Sequence, residues 1–307
     1  MRTRLLLTLT AAATCWSAPA LAQGERVAVV TPYLSAVATA EMVETFAAEA
    51  ETRGWQVDVV DTAGDLGAMA SRLQDVAASG VDAVVVVSID PAQVQDQIDA
   101  VAGAGIPVFA IDGAGNPSVA LNVTSDNYVL GETMSAFLIA AIGGEGEIVR
   151  FFHSAHPGVR QREIALDDAL AANPGVTEIA SHYVQVPGQI DDSRNAMDSI
   201  LLANPGEGAI DAVWAAWDEP GIGAQLAIDA AGREGIVIAG IDGNPQAIEL
   251  IAACTPFIAT VRQGFGDMAR IAAEQLEAVL AGGAVAEPVM YAPVELITRE
   301  SLGVTCG

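Results

Sequence analysis

Asp82-Ala83-Val84-Val85-Val86-Val87-Ser88 is the stretch on which the fold turns. A strand carrying valines at consecutive positions has no polar face. It needs a layer of helices on each side, the arrangement of a parallel sheet inside an α/β protein. Working outward, the spacing predicts further strands at Arg26 to Thr31, Gln56 to Asp61 and Pro107 to Asp112. Between them, Ala40 to Arg53, Leu66 to Ala78 and Pro91 to Ala104 carry apolar residues at helical spacing.

The second half repeats the plan. Strands are predicted at Glu147 to Phe152, Glu178 to Val184, Asp211 to Trp217 and Ile236 to Asp242, with helices near Arg162 to Ala172, Asp191 to Ala203, Glu219 to Ala231 and Pro245 to Ala252. A strand at Phe257 to Gln263 and a helix at Phe265 to Ala281 follow, then a break at Gly282-Gly283. Two runs of βα units imply two similar parallel-sheet lobes. Right-handed crossovers put the strand ends of each lobe on one rim, where Asp61, Asp112, Trp217-Asp218 and Asp242 stand.

Ahead of this body, Met1 to Ala22 reads as an export leader: Arg2 and Arg4, a short apolar run from Leu5 to Trp16, and Ala20-Leu21-Ala22 before a mature start at Gln23. Cys15 lacks the setting of a lipid-modified cysteine and is read as part of the leader. An exported α/β protein meets no nucleotide pool, so its ligand is expected to come from outside the cell. Thirteen basic against 39 acidic residues give a net charge of −26, and loss of Arg2 and Arg4 with the leader makes it −28. Such a chain cannot neutralise phosphates, which argues against nucleic acid as a partner. All the basic residues are arginines, which also excludes a phosphate-loop lysine and Schiff-base chemistry.

Two cysteines remain after the leader, Cys254 and Cys306. A bond between them would close a loop of about 50 residues and add roughly 4 kcal/mol of stability. Sequence leaves open this bond or two separate buried thiols. No serine-hydrolase elbow, phosphate loop, zinc-protease helix or cysteine pair at metal spacing occurs. His153, His156 and His182 read as ordinary polar residues, and Gly113-Ala114-Gly115 as a turn. No metal or other cofactor is expected.

Six segments in order carry a resemblance: Ile106-Pro107-Val108-Phe109-Ala110-Ile111-Asp112, Thr124-Ser125-Asp126-Asn127, Arg160-Gln161-Arg162, Trp217-Asp218-Glu219-Pro220, Gly240-Ile241-Asp242-Gly243 and Ala259-Thr260-Val261-Arg262-Gln263. Over Arg26 to Val304 the chain resembles the pentose-type sugar-binding proteins of bacterial ABC importers. The resemblance implies a type I periplasmic binding fold: two Rossmann-like lobes joined by a three-segment hinge. It divides the chain into a leader (1–22), an N-terminal lobe (24–125 with 264–291) and a C-terminal lobe (126–263 with 292–307). It also implies that Asp112, Asn127, Arg160, Asp242 and Gln263 hydrogen-bond the hydroxyls of a sugar held between the lobes. Carboxylates accept from hydroxyls, guanidinium donates and amides do both.

Where the ribose-binding pattern has an arginine after the first strand-end aspartate, this chain has Gly113, and its paired aromatics correspond to Ala38 and Thr39. Trp217 replaces an asparagine and Ile241 a phenylalanine, which makes Trp217 the expected stacking surface for a carbohydrate. Tyr33, Ser35 and Gln189 lie in loops that contact ligand in the family. The implied function is a monomeric periplasmic binding protein that delivers a pentose, sugar alcohol or other small polyol to a membrane permease. A sensory protein presenting its ligand to a receptor is the alternative. A hydrolase with Asp112 and Asp242 as paired carboxylates would instead turn its sugar over. The related sugar-responsive repressors need a basic DNA-binding segment that this chain lacks.

Overall fold

A computed structural model describes residues 24–306; the expected leader, with cleavage expected after Ala22, lies outside the described residues. The first run of elements is β1 (Arg26–Thr31), α1 (Val37–Thr52), β2 (Gln56–Asp61), α2 (Leu66–Ala78), β3 (Ala83–Val87), α3 (Gln95–Gly103), β4 (Val108–Ile111) and β5 (Leu121–Thr124). The second is α4 (Asn127–Ala141), β6 (Gly146–Phe152), α5 (Pro157–Ala172), β7 (Val176–Tyr183), α6 (Gln189–Ala203), β8 (Ala212–Ala215), α7 (Asp218–Ala231), β9 (Val237–Asp242), α8 (Pro245–Ala252) and β10 (Phe257–Gln263). The chain ends with α9 (Phe265–Leu280), β11 (Val289–Tyr291) and β12 (Val294–Thr298). No helix among the described residues is long and apolar enough to cross a membrane.

Two six-stranded sheets result, in the orders β11-β5-β4-β3-β1-β2 and β12-β10-β9-β8-β6-β7. All pairings are parallel except that of β12 with β10. Both sheets reverse strand order at the same place, between β1 and β3 and between β6 and β8. The crevices where ligands bind open at such switch points.

The valine run of β3 shows why the sheet needs two helix layers. Val85 and Val87 pack with Met42 and Phe46 of α1 and Met268 and Leu276 of α9, while Val84 and Val86 pack with Met69 and Leu73 of α2 and Ile98 and Val101 of α3. In the second sheet, β6, β8 and β9 supply Ile148, Val149, Trp214 and Ile238 to one core, joined by Leu130 and Met134 of α4 and Ile222 and Ile228 of α7. Cys254 and Cys306 form a disulfide that ties the turn after α8 to the C-terminal tail.

The chain passes between the sheets three times: from β5 to α4, from β10 to α9, and from β11 to β12. Strands β5, β11 and β12 lie outside the strands expected from the sequence. β11 and β12 are edge strands with partly exposed residues and β5 lies beside β11, so their pairing depends on neighbouring strands that already exist.

Candidate functional site

The C-terminal ends of the two sheets face each other across a cavity. From the first lobe it is lined by Tyr33 after β1, Ala36, Ala38 and Thr39 at the start of α1, Ser88 after β3 and Asp112 after β4. The opposite wall consists of His153 after β6, His156, Val159 and Arg162 around the start of α5, Val186, Trp217 after β8 and Asp242 at the end of β9. The cavity has a volume of about 60 Å³.

Ser88, Asp112 and Asp242 have φ values of 59°, 52° and 131°. Side chains rarely adopt such backbone, and its cost of order 1–3 kcal/mol each is concentrated here at the cavity wall. The result is that each side chain is turned off its strand end toward the cleft.

The carboxylates are placed differently. Asp112 Oδ2 lies 3.3 Å from His156 Nε2, and its Oδ1 accepts from the Thr124 hydroxyl at 3.4 Å. His156 caps α5: its Nδ1 accepts from the backbone N–H of Gly158 and Val159, so Nε2 carries the proton directed at Asp112. Asp242 Oδ1 accepts from Gln263 Nε2 at 2.8 Å and lies 3.6 Å from Arg162. Burial pushes the Asp242 carboxyl up to about 7; Asp112 and Glu219 add to the rise, and Arg162 and Gln263 oppose it.

Arg162 is 2% exposed. Its Nε donates to Asn127 Oδ1 at 2.8 Å and its Nη1 to the Ala216 carbonyl at 2.7 Å. Asn127 in turn donates to the Ser125 carbonyl at the first crossing. Asp218, fully buried behind Asp242, accepts from the Asn244 backbone N–H at 2.8 Å and the Thr260 hydroxyl at 2.7 Å, which fixes the turn that follows Asp242. Its carboxyl is raised well above the usual range by burial and then by Asp242.

Contacts between the lobes hold the cleft shut. Tyr33 Oη lies 3.1 Å from His153 Nε2, and His153 Nδ1 lies 2.9 Å from the Val184 carbonyl. The carbonyl requires a proton on Nδ1, so Nε2 accepts from the phenol. Burial supports that arrangement, because it lowers the His153 pKa and, with help from Tyr183, raises that of Tyr33 to about 12. Gln189 Nε2 reaches the Ser35 carbonyl at 3.4 Å and Glu219 at 2.7 Å, and Gln93 Nε2 reaches the Ala155 carbonyl at 3.1 Å.

Of the residues singled out in the sequence, Tyr33, Asp112, Trp217 and Asp242 line the cavity. Asn127 and Gln263 stand one layer back, holding Arg162 and Asp242. Arg160 is not brought to the cavity. Its guanidinium, 38% exposed, pairs with Asp90 of the first lobe and donates to the carbonyls of Ser154 and Ala155. The guanidinium at the cavity is that of Arg162, and helical phase decides between the two: Val159, Arg162 and Leu166 form the buried stripe of α5, and Arg160 falls outside it.

His153 and His156, read in the sequence as ordinary polar residues, gave no sequence signal for the cavity, because the contacts that bring them to it, His153 with Tyr33 and His156 with Asp112, come from the facing lobe. Gly113, where the family pattern has an arginine, is forced by packing: a Cβ there would sit 2.9 Å from the Ile89 carbonyl oxygen. Among the described residues, no group of three or more His, Cys, Asp or Glu side chains is arranged to hold a metal ion.

Residues 27–284 match the family of the periplasmic binding protein domain. The chain belongs to that family. It is 29% identical over 262 residues to the ribose import binding protein of Bacillus subtilis, an alignment covering 82% of this chain and 80% of that protein. A xylitol-binding protein of Mycolicibacterium smegmatis is 29% identical over 189 residues, 61% of this chain and 53% of its own length. Among solved structures, an ABC transporter solute binding protein from Agrobacterium vitis with bound allitol superposes with a TM-score of 0.86 at 28% identity, covering 92% of this chain and 97% of that one. This periplasmic family consists of substrate-binding proteins of ABC importers, which are not enzymes, and the two-sheet α/β architecture is theirs.

Proposed function

We propose that the chain captures a monomeric pentose or sugar alcohol between its lobes and delivers it intact to an ABC permease. One observation carries the reading: Asp112 from one sheet edge and Arg162, Trp217 and Asp242 from the other converge on a single cavity between the two sheets. Asp112 and Asp242 accept from ligand hydroxyls, the Arg162 guanidinium donates, and Trp217 presents its ring to the C–H face. Hydrogen bonds to charged groups contribute roughly 1.5–3 kcal/mol each, and a few of them reach the −8 kcal/mol or so of micromolar binding. Asn127 and Gln263 act by holding Arg162 and Asp242, and Arg160 acts as a tie between the lobes through Asp90.

The lobes are 24–125 with 264–291 and 126–263 with 292–307, hinged at the three crossings. Ligand closes them because no one lobe carries the whole set of contacts. The leader is removed after Ala22 on export, and the mature chain acts as a monomer. Thermal-shift screening of pentoses, alditols and hexoses, followed by calorimetry of the hits, tests the ligand class. Stabilisation by a pentose or alditol is expected, while stabilisation only by acidic or oligomeric sugars overturns the reading.

A further inference from the structure

Carboxylates outnumber cations in the closed cleft. Asp112 and Asp242 line it, and Asp218 and Glu219, both buried, stand at the start of α7 behind Trp217 and Asp242. On the cationic side, Arg162 is the guanidinium that reaches the cavity, because Arg160 is turned to Asp90. The groups facing Asp242 can be named element by element. From α5 come Arg162 at 3.6 Å and, beyond it, His156; from the end of β4 comes Asp112; from α7 come Asp218 and Glu219; from β10 comes the Gln263 amide. Beside them stands His153, whose pKa burial lowers, and across the cavity the Tyr33 phenol that bonds it.

One of these partners depends on closure: Asp112 belongs to the first lobe, and it faces Asp242 only when the cleft is shut. In an open cleft water reaches Asp242 and the opposing carboxylate is withdrawn. Closing removes the water and brings a second carboxylate up to the single Arg162 guanidinium, and burying more carboxylate charge than the cation balances is costly unless part of it is neutralised.

We propose that closure around the ligand takes up a proton, held at Asp242, so that capture is tighter in mildly acidic than in mildly alkaline surroundings. The inference rests on the ligand reading given above. The direction follows from linkage. A carboxyl whose pKa is higher in the closed state than in the open one favours closure below its open-state value, and that gain is lost as pH rises through its closed-state value. With the closed-state value at about 7 before ligand enters, and a ligand hydroxyl donating to Asp242 drawing it back down, affinity falls by up to about tenfold from pH 6 to pH 8, and up to about half a proton is taken up at pH 7.

The test is calorimetric titration of the mature protein with ribitol, xylitol, allitol and D-ribose, at pH 7 in phosphate and in Tris, with dissociation constants measured from pH 6 to pH 8. Expected are binding enthalpies that differ between the buffers in the direction of proton uptake, by the equivalent of up to about half a proton, and a weakening of up to about tenfold from pH 6 to pH 8. In Asp242→Asn the buffer dependence should vanish even though the variant binds more weakly. If that variant binds too weakly to titrate, the wild-type comparison decides. Equal enthalpies with a flat affinity profile, or proton release on binding, refute the proton link and leave the ligand reading standing. Absence of binding by all four probes at every pH refutes the ligand reading, and the proton link falls with it.

Discussion

Replacement of Arg162 by alanine separates the two arginines of α5 most cleanly. The wild-type guanidinium is buried, with Asn127 Oδ1 at 2.8 Å, the Ala216 carbonyl at 2.7 Å and Asp242 at 3.6 Å. Two charged hydrogen bonds at roughly 1.5–3 kcal/mol each set an upper bound of about 6 kcal/mol. Breaking a buried pair from one side costs about 3–5 kcal/mol, and these costs overlap because Asp242 can take up a proton when its counter-charge is lost. The net expectation is about 3–5 kcal/mol, a fall of roughly 10 °C in Tm for a chain of this size. Ligand-induced stabilisation should disappear as well.

Arg160→Ala removes a half-exposed tie to Asp90, for which roughly 1 kcal/mol or less is expected, so Tm should move by about 2 °C and the ligand response should persist. Arg162→Lys keeps the charge and loses the planar fork, so it should fold and yet bind at least tenfold more weakly. Thermal unfolding with and without ligand, backed by calorimetry, reads all three. A ligand response lost in Arg160→Ala and retained in Arg162→Ala would refute the assignment.

Cys254→Ser should lower stability by about 4 kcal/mol on the chain-entropy account and leave affinity unchanged, since the disulfide joins the tail to the turn after α8, away from the cavity lining; denaturant unfolding and calorimetry check the two halves. Tyr33→Phe leaves His153 Nε2 without its donor only in the closed form, so a penalty of about 1–3 kcal/mol should appear as weaker binding with little change in the Tm of the unliganded protein. Trp217 fluorescence should change on ligand addition, and the change should be absent from Trp217→Phe, which should also bind more weakly; unaltered affinity in that variant would argue against stacking.

The alternation of strands and helices, the two-lobe plan and the strand-end positions of Asp112, Trp217 and Asp242 could be read along the chain, because each depends on local periodicity. Val84 to Val87 demand helices on both faces whatever lies further away. The choice of Arg162 over Arg160 was legible in principle, since Val159, Arg162 and Leu166 share a helical stripe. Other features exist only after folding. The partnership of Tyr33 with His153, the cap that aims His156 at Asp112, and the closure of Cys254 with Cys306 each join residues at least 40 positions apart. Such contacts have no local pattern to announce them. The disulfide forms when the C-terminal tail packs back on its own lobe; the Tyr33–His153 and Asp112–His156 contacts arise because two separately formed sheets meet edge to edge, and the raised proton affinity of Asp242 is set by burial and, in part, by a carboxylate from the opposite lobe.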